Sequence, residues 1–205
     1  MKNMLFIMNP KAGRTTLKNS LVDVLEVFCN NDYAVRTYLT KSADDAERIV
    51  QEEGANYDVI VCAGGDGTLG NTVTGYMKSG IKVPLGYIPC GSTNDFARSM
   101  DIPRETVEAA EMIVKAEPFS IDIGSLNDKN FVYVAAFGMF SDTSYATPQN
   151  MKNIFGHAAY VLQGIKSLAN VPSYKMKVTI DGDEQEGEFI FGMVSNSISV
   201  GGFKS

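Results

Sequence analysis

The apolar run Tyr57-Asp58-Val59-Ile60-Val61-Cys62 breaks into Ala63-Gly64-Gly65-Asp66-Gly67-Thr68, and this junction constrains the chain more than any other stretch. Glycines admit positive φ and let backbone N–H groups come close to a ligand. Leu69, Val73, Tyr76 and Met77 recur at helical spacing, which predicts a helix directly after the loop, running to about Ser79. A helix starting there turns roughly half a unit of positive charge toward the same point. Buried strand, glycine loop and helix together read as a phosphate-binding loop.

The same order repeats on either side. Leu5-Phe6-Ile7-Met8 is a continuous apolar run, the pattern of a strand buried on both faces. It ends at Asn9-Pro10-Lys11-Ala12-Gly13, where Asn9 and Gly13 are taken as nucleotide contacts rather than as turn formers alone. Leu17, Leu21, Val24, Leu25 and Phe28 predict an amphipathic helix ending near Asn30-Asn31. Tyr33 to Leu39 alternates, as a strand nearer the sheet edge does, and Ser42 with Asp45 predicts the cap of a helix running to about Glu53.

Val83 to Ile88 is the next strand, ending at Pro89-Cys90-Gly91-Ser92-Thr93-Asn94-Asp95. Helical pattern resumes at Phe96-Ala97-Arg98 and again from Pro103 to about Lys115, with the proline suited to a first helical position. Phe119 to Ile123 reads as one more strand. Strands alternating with helices build a parallel sheet, and ligands bind beyond the carboxyl ends of its strands. The loops at Asn9, Gly64 to Thr68 and Gly91 to Asp95 would then share one edge.

Beyond about Gly124 the pattern changes. Phe131 to Phe137 and Tyr174 to Ile180 read as strands, Asp181-Gly182 as a hairpin turn, and Glu188 to Ser195 as the return strand. A second, antiparallel domain is expected over 125–205, with an amphipathic helix from Lys152 to Ala169 between its strands. So few strands leave edges open, and this domain is expected to be incomplete.

A net charge of -6 argues against nonspecific nucleic-acid binding, which rests on clustered Lys and Arg. No apolar run approaches the roughly 20 residues of a spanning helix, and the N-terminus lacks a cleavage site. Cys29, Cys62 and Cys90, widely spaced in apolar surroundings, read as reduced core residues. A cytoplasmic protein is expected. His157 is the single histidine, which argues against a His-dependent triad or a His-metal cluster.

A carboxylate about 4 Å from a phosphate oxygen is repelled by about 4 kcal/mol at an effective dielectric near 20. Asp66 therefore belongs beside a phosphate only with a divalent cation, or its bound water, in between, and Mg²⁺ binds in this way. Capping of the following helix is compatible with that role. Thr68 can donate to a phosphate or satisfy its own helical turn, and both readings stay open. Asn94-Asp95 is either an Asx turn with a helix cap or a metal-linked pair near a transferred phosphoryl group; beside Asp66, the second reading is taken. The glycine run is neither the spaced-glycine dinucleotide fingerprint nor the Gly-Lys-Ser/Thr loop.

The ordered set of Asn9 to Gly13, Gly64 to Thr68, Gly91 to Arg98, Asp122-Ile123-Gly124 and Ser144-Tyr145-Ala146-Thr147-Pro148 resembles the diacylglycerol kinase catalytic family, specifically bacterial soluble lipid kinases. Gly-Gly-Asp-Gly-Thr alone also resembles NAD kinases and phosphofructokinases. The resemblance implies ATP contacts from Asn9, Pro10, Lys11, Ala12, Gly13, Thr40, Gly64, Gly65, Asp66, Gly67, Thr68 and Ser92, with Asn94 counted beside them. It also implies an aspartate, water and Mg²⁺ network of Asp66, Asp95 and Asp122. The implied fold is a phosphofructokinase-like, Rossmann-like α/β domain over 1–124 followed by a β-sandwich domain, with the lipid entering between them. Gly70-Asn71 departs from the Asn-Glu common in the family. Family chains also run on past this one, and the carboxylate proposed as their general base lies in that part.

The expected activity is ATP- and Mg²⁺-dependent phosphorylation of a lipid hydroxyl, diacylglycerol to phosphatidic acid first, at a membrane surface visited transiently. A homodimer is the assembly this reading admits. The chain is expected to bind nucleotide without full turnover. A kinase acting on a sphingoid base or phosphatidylglycerol, an NAD kinase, and a non-catalytic nucleotide- or lipid-binding regulator are the alternatives.

Overall fold

A computed structural model describes residues 1–12, 16–127, 129–138, 173–196, 199–200 and 203–204. Four strands, β1 (Lys2–Met8), β2 (Tyr33–Leu39), β3 (Val59–Gly64) and β4 (Leu85–Pro89), form a parallel sheet in the order β2-β1-β3-β4. Helices α1 (Thr16–Asn30), α2 (Asp45–Glu53), α3 (Asp66–Ser79), the short α4 (Asp95–Ser99) and α5 (Thr106–Lys115) connect and cover it. The parallel α/β expectation is met.

Side-chain alternation along the central strands divides the core into layers. Met4, Phe6 and Met8 join Val59, Val61 and Ala63 beneath Val24 and Phe28 of α1 and Ala109 and Ala110 of α5. Leu5, Ile7 and Ile60 face the other way, against Ala46, Ile49 and Val50 of α2. Both faces are covered, so β1 and β3 need continuous apolar sequence. The edge strand β2 needs only alternation, as its partial exposure shows.

Several local expectations are corrected. Ser42 does not cap α2; instead the Asp45 carboxylate accepts N–H groups from Lys41 at 2.7 Å and Ser42 at 3.1 Å, which pull its pKa down to about 2. Helix α5 starts at Thr106 rather than Pro103, because buried Thr106 is fixed by a 2.6 Å hydroxyl contact with Ser20 of α1. Phe119 to Ile123 is not a strand. Its alternation finds no neighbouring strand among the described residues, and Phe119 is 70% exposed. Cys29 is exposed, whereas Cys62 and Cys90 are buried as expected.

The chain divides into two compact units, Met1–Tyr133 with Ser195–Ser205, and Val134–Val194. The expected strand from Phe131 to Phe137 is split. The first unit keeps the small ladder of β5 (Gly124–Leu126) and β6 (Lys129–Phe131), and Val132 then turns into the core with Leu69, Tyr87 and Phe96. Only after this does β7 (Val134–Gly138) begin.

The second unit contains the hairpin of β8 (Tyr174–Ile180) and β9 (Asp183–Phe189). Asp181 and Gly182, at φ 51° and 96°, make the two-residue turn with both central residues at positive φ. So short a turn lets Asp183 pair at once with Ile180, and the return strand begins there rather than at Glu188. Strand β10 (Phe191–Ser195) pairs with β7, and β11 (Ser199–Val200) pairs with β12 (Phe203–Lys204). The expected helix over 152–169, with His157, and the motif over 144–148 lie outside the described residues. No helix among the described residues is long and apolar enough to cross a membrane.

Two glycines of α3 make opposite predictions. A Cβ on Gly75 would run into the Glu47 carbonyl of α2, whereas one on Gly70 would meet nothing within 4 Å. In urea unfolding, Gly75→Ala should lose about 1–3 kcal/mol through overpacking, and Gly70→Ala should gain about 0.5–1 kcal/mol.

Candidate functional site

The register of the sheet aligns its carboxyl ends. Met8 lies opposite Leu39 and Ala63, and Gly64 lies opposite Pro89. The ladder then runs one residue further: Asn9 donates its N–H to Ala63 at 2.9 Å, Thr40 to Met8 at 2.9 Å, and Cys90 to Gly64 at 2.7 Å. The turns after β1, β2, β3 and β4 therefore leave the sheet side by side.

The two glycine loops interlock. A Cβ on Gly65 would lie 3.2 Å from the Gly91 Cα, and one on Gly91 would lie 2.6 Å from both the Gly65 Cα and the Asn94 Oδ1. No side chain fits at Gly91 unless the loops separate. Gly64 is equally confined, by the Thr68 side chain. Gly67, itself exposed in the first turn of α3, has open space instead.

Polar side chains tie the loops from within. Asn9 accepts the Lys11 N–H at 2.9 Å and donates its amide to the Thr68 hydroxyl at 3.0 Å, linking the first turn to the glycine loop. Asn94, buried and at φ 53°, accepts the Gly91 N–H at 2.8 Å and donates to the Gly91 carbonyl at 2.9 Å. Its amide closes its own loop, the Asx-turn geometry. Tyr87 adds a hydroxyl bond to the Gly64 carbonyl at 3.1 Å.

Of the three aspartates, two are brought together. The Asp66 carboxylate accepts the N–H groups of Asp95 at 3.3 Å and Phe96 at 3.4 Å. Burial pushes the Asp66 carboxyl above its ordinary value and the Asp95 charge adds to this, against the pull of those N–H groups. Asp95 is 2% exposed, and its carboxylate accepts the Tyr133 hydroxyl at 2.8 Å. Asp122 is exposed and touches the network by its carbonyl, which accepts the Asn196 amide at 2.7 Å. Among the described residues no three His, Cys, Asp or Glu side chains gather as a metal cage.

The remaining predicted residues fall as follows. Thr40 is buried, Lys11 and Ser92 are exposed, Pro10 and Ala12 are half-buried, and Gly13 lies outside the described residues. At the unusual Gly70-Asn71 pair, the Asn71 amide donates to the Ala43 carbonyl at 2.7 Å, joining α3 to the turn that follows Thr40. The sequence does not single out Tyr87, Tyr133 and Asn196. Tyr87 stands three residues before Cys90 and could have been suspected; Tyr133 and Asn196 carry no local signal.

The donor set suits Mg²⁺. A raised carboxyl beside a second buried carboxylate is a charge conflict that a divalent cation relieves. Mg²⁺ is commonly held by one or two carboxylates, substrate phosphates and water rather than by a full protein cage. Asp66 and Asp95 supply that number.

Asp66 makes a pH prediction. A carboxyl whose folded pKa lies above its unfolded value supports the fold below the unfolded pKa and loses that support as pH rises through the folded one. Without metal, Asp66→Asn should therefore be more stable than the unaltered protein at neutral pH, and the gap should close as pH falls through the carboxylate range. Thermal unfolding against pH reads this directly.

Residues 3–126 match the profile of the "Diacylglycerol kinase catalytic domain". A protein named diacylglycerol kinase from Bacillus subtilis (strain 168) is 35% identical over 206 residues, covering 100% of this chain and 68% of the relative. One of the same name from Staphylococcus aureus (strain JH9) is 33% identical over 207 residues, covering 99% and 65%. The crystal structure of a diacylglycerol kinase from Bacillus anthracis str. Sterne superposes with a TM-score of 0.80 at 29% identity, over 100% of this chain and 67% of that one. The chain thus spans about two thirds of the length of these relatives. With the profile matched across the whole α/β sheet and the identity sustained along the full chain, the protein belongs to the diacylglycerol kinase catalytic-domain family, a family of kinases.

Proposed function

We propose that this chain carries the nucleotide site of a lipid kinase that moves the γ-phosphoryl group of ATP to a lipid hydroxyl, most simply that of diacylglycerol. The observation that carries the reading is the interlock of Gly65 with Gly91 around the Asp66 and Asp95 pair, at the carboxyl edge of a parallel sheet. Family membership and relatives named diacylglycerol kinase support the choice of acceptor.

In this reading the segment from Asn9 to Gly13, with Thr40, Gly64, Gly65, Gly67, Thr68 and Ser92, contacts ATP. Asn94 holds the second loop in shape. Bound Mg²⁺ would neutralise phosphate charge during transfer. Asp66 and Asp95 would hold it, with Asp122 reached through water. Fixed loops place the phosphate chain without reorganising, and phosphoryl transfer depends chiefly on such positioning and on charge stabilisation. Residues 1–124 would form the nucleotide domain and 125–205 part of the lipid-facing domain, working at a membrane surface visited transiently.

The test is transfer from γ-labelled ATP, by a version of the chain extended to the length of its relatives, to a panel of diacylglycerol, sphingoid base and phosphatidylglycerol in mixed micelles, with NAD as a further acceptor. Label in diacylglycerol supports the reading, and label in NAD alone overturns it. ATP binding with no transfer to any acceptor favours a nucleotide-binding regulator instead. Where transfer is seen, Asp66→Ala should lower it by roughly a hundredfold or more while leaving the circular dichroism spectrum unchanged.

A further inference from the structure

We infer that Tyr133 is a positioning residue for this site, holding the Asp95 carboxylate in the orientation in which it serves a metal-bound nucleotide. The inference rests on the Mg²⁺-nucleotide reading above. Its starting point is the 2.8 Å bond from the Tyr133 hydroxyl to Asp95 Oδ2, across 38 residues of sequence.

Asp95 is almost wholly buried, and its own N–H is turned to Asp66. A carboxylate so placed has little solvent to orient it, and hydrogen bonds to a charged group are among the stronger ones. The Tyr133 hydroxyl commits one side of the group and so fixes its rotation. A carboxylate fixed in this way faces a cation or its water in one set orientation.

Tyr133 is itself held on both sides. Val132 before it is 2% exposed in the cluster of Leu69, Tyr87 and Phe96, so the core sets the approach of the ring. The Tyr133 carbonyl accepts the Asn196 N–H at 2.9 Å, and the Asn196 side-chain amide reaches the Asp122 carbonyl at 2.7 Å. Tyr133 is the last residue before the chain leaves the first unit, and Asn196 follows the first residue after its return. Asp95, Asp122, Tyr133 and Asn196 thus form one hydrogen-bonded clasp, which includes two of the aspartates assigned to the metal network.

A hydroxyl that merely satisfies a buried carboxylate would serve the fold alone, and the two roles separate in the metal dependence of binding. ATP affinity is measured by calorimetry with excess Mg²⁺ and with a chelator, for the unaltered chain and for Tyr133→Phe, which keeps the ring. The expected result is a loss of roughly tenfold or more in the presence of Mg²⁺, and no change in the chelator. Equal Mg²⁺-dependent affinity in the two proteins overturns the positioning role, as does an equal loss with and without metal. If Tyr133→Phe does not fold, Tyr133→Met, also apolar and without a donor, is read in the same way. Failure of the unaltered protein to bind ATP overturns the nucleotide reading and this inference with it, whereas binding by both proteins alike overturns only the inference.

Discussion

Everything at the candidate site depends on the approach of two backbones, Gly65 to Gly91. Parallel strands β3 and β4 end level, so their loops emerge about one strand spacing apart, roughly 4.8 Å. Loops that close to each other can continue in contact only where side chains are absent. Glycine at both positions lets the chains touch, and the Asn94 amide then closes the second loop from below. The result is a backbone surface whose shape owes little to side-chain rotamers, and such a surface can meet a phosphate chain without being reorganised.

That closeness has an electrostatic consequence. It carries the N-terminus of α3, with Asp66, against the start of α4, with Asp95, so two acids share a partly dehydrated corner. Burial and mutual charge raise the Asp66 carboxyl, and N–H groups from Asp95 and Phe96 compensate only in part. A fold designed for stability alone would place neutral amides there. Carboxylates kept in conflict fit a site completed by a cation, and strain of this kind gathers where function needs it.

Much of this was legible in one dimension. Periodicity found every strand of the parallel sheet, because strands covered on both faces must be continuously apolar and the half-exposed edge strand β2 alternates. Strand ends found the loops, because glycine and asparagine mark backbone that side chains would obstruct or that takes positive φ. Two misreadings share one cause. Phe119 to Ile123 has the alternation of a strand but no partner strand among the described residues, and Pro103 suits a helix start that the Ser20 and Thr106 contact places three residues later. In both cases the local pattern is present, and its tertiary surroundings decide the outcome.

The sequence by itself determined the parallel α/β class, the meeting of the polar loops at the carboxyl edge of the sheet, and the residue types gathered there. Those follow from local spacing, since side-chain periods and glycine positions are properties of short stretches. Only the tertiary structure decided that Asn94 shapes its own loop, that Asp66 and Asp95 share a corner while Asp122 enters by its carbonyl, and that Tyr133 and Asn196 join them. Apart from the Asn94 loop, these are pairings between residues 29 to 74 positions apart. No periodicity encodes such a pairing, because it exists only once strand register has aligned the ends of the sheet.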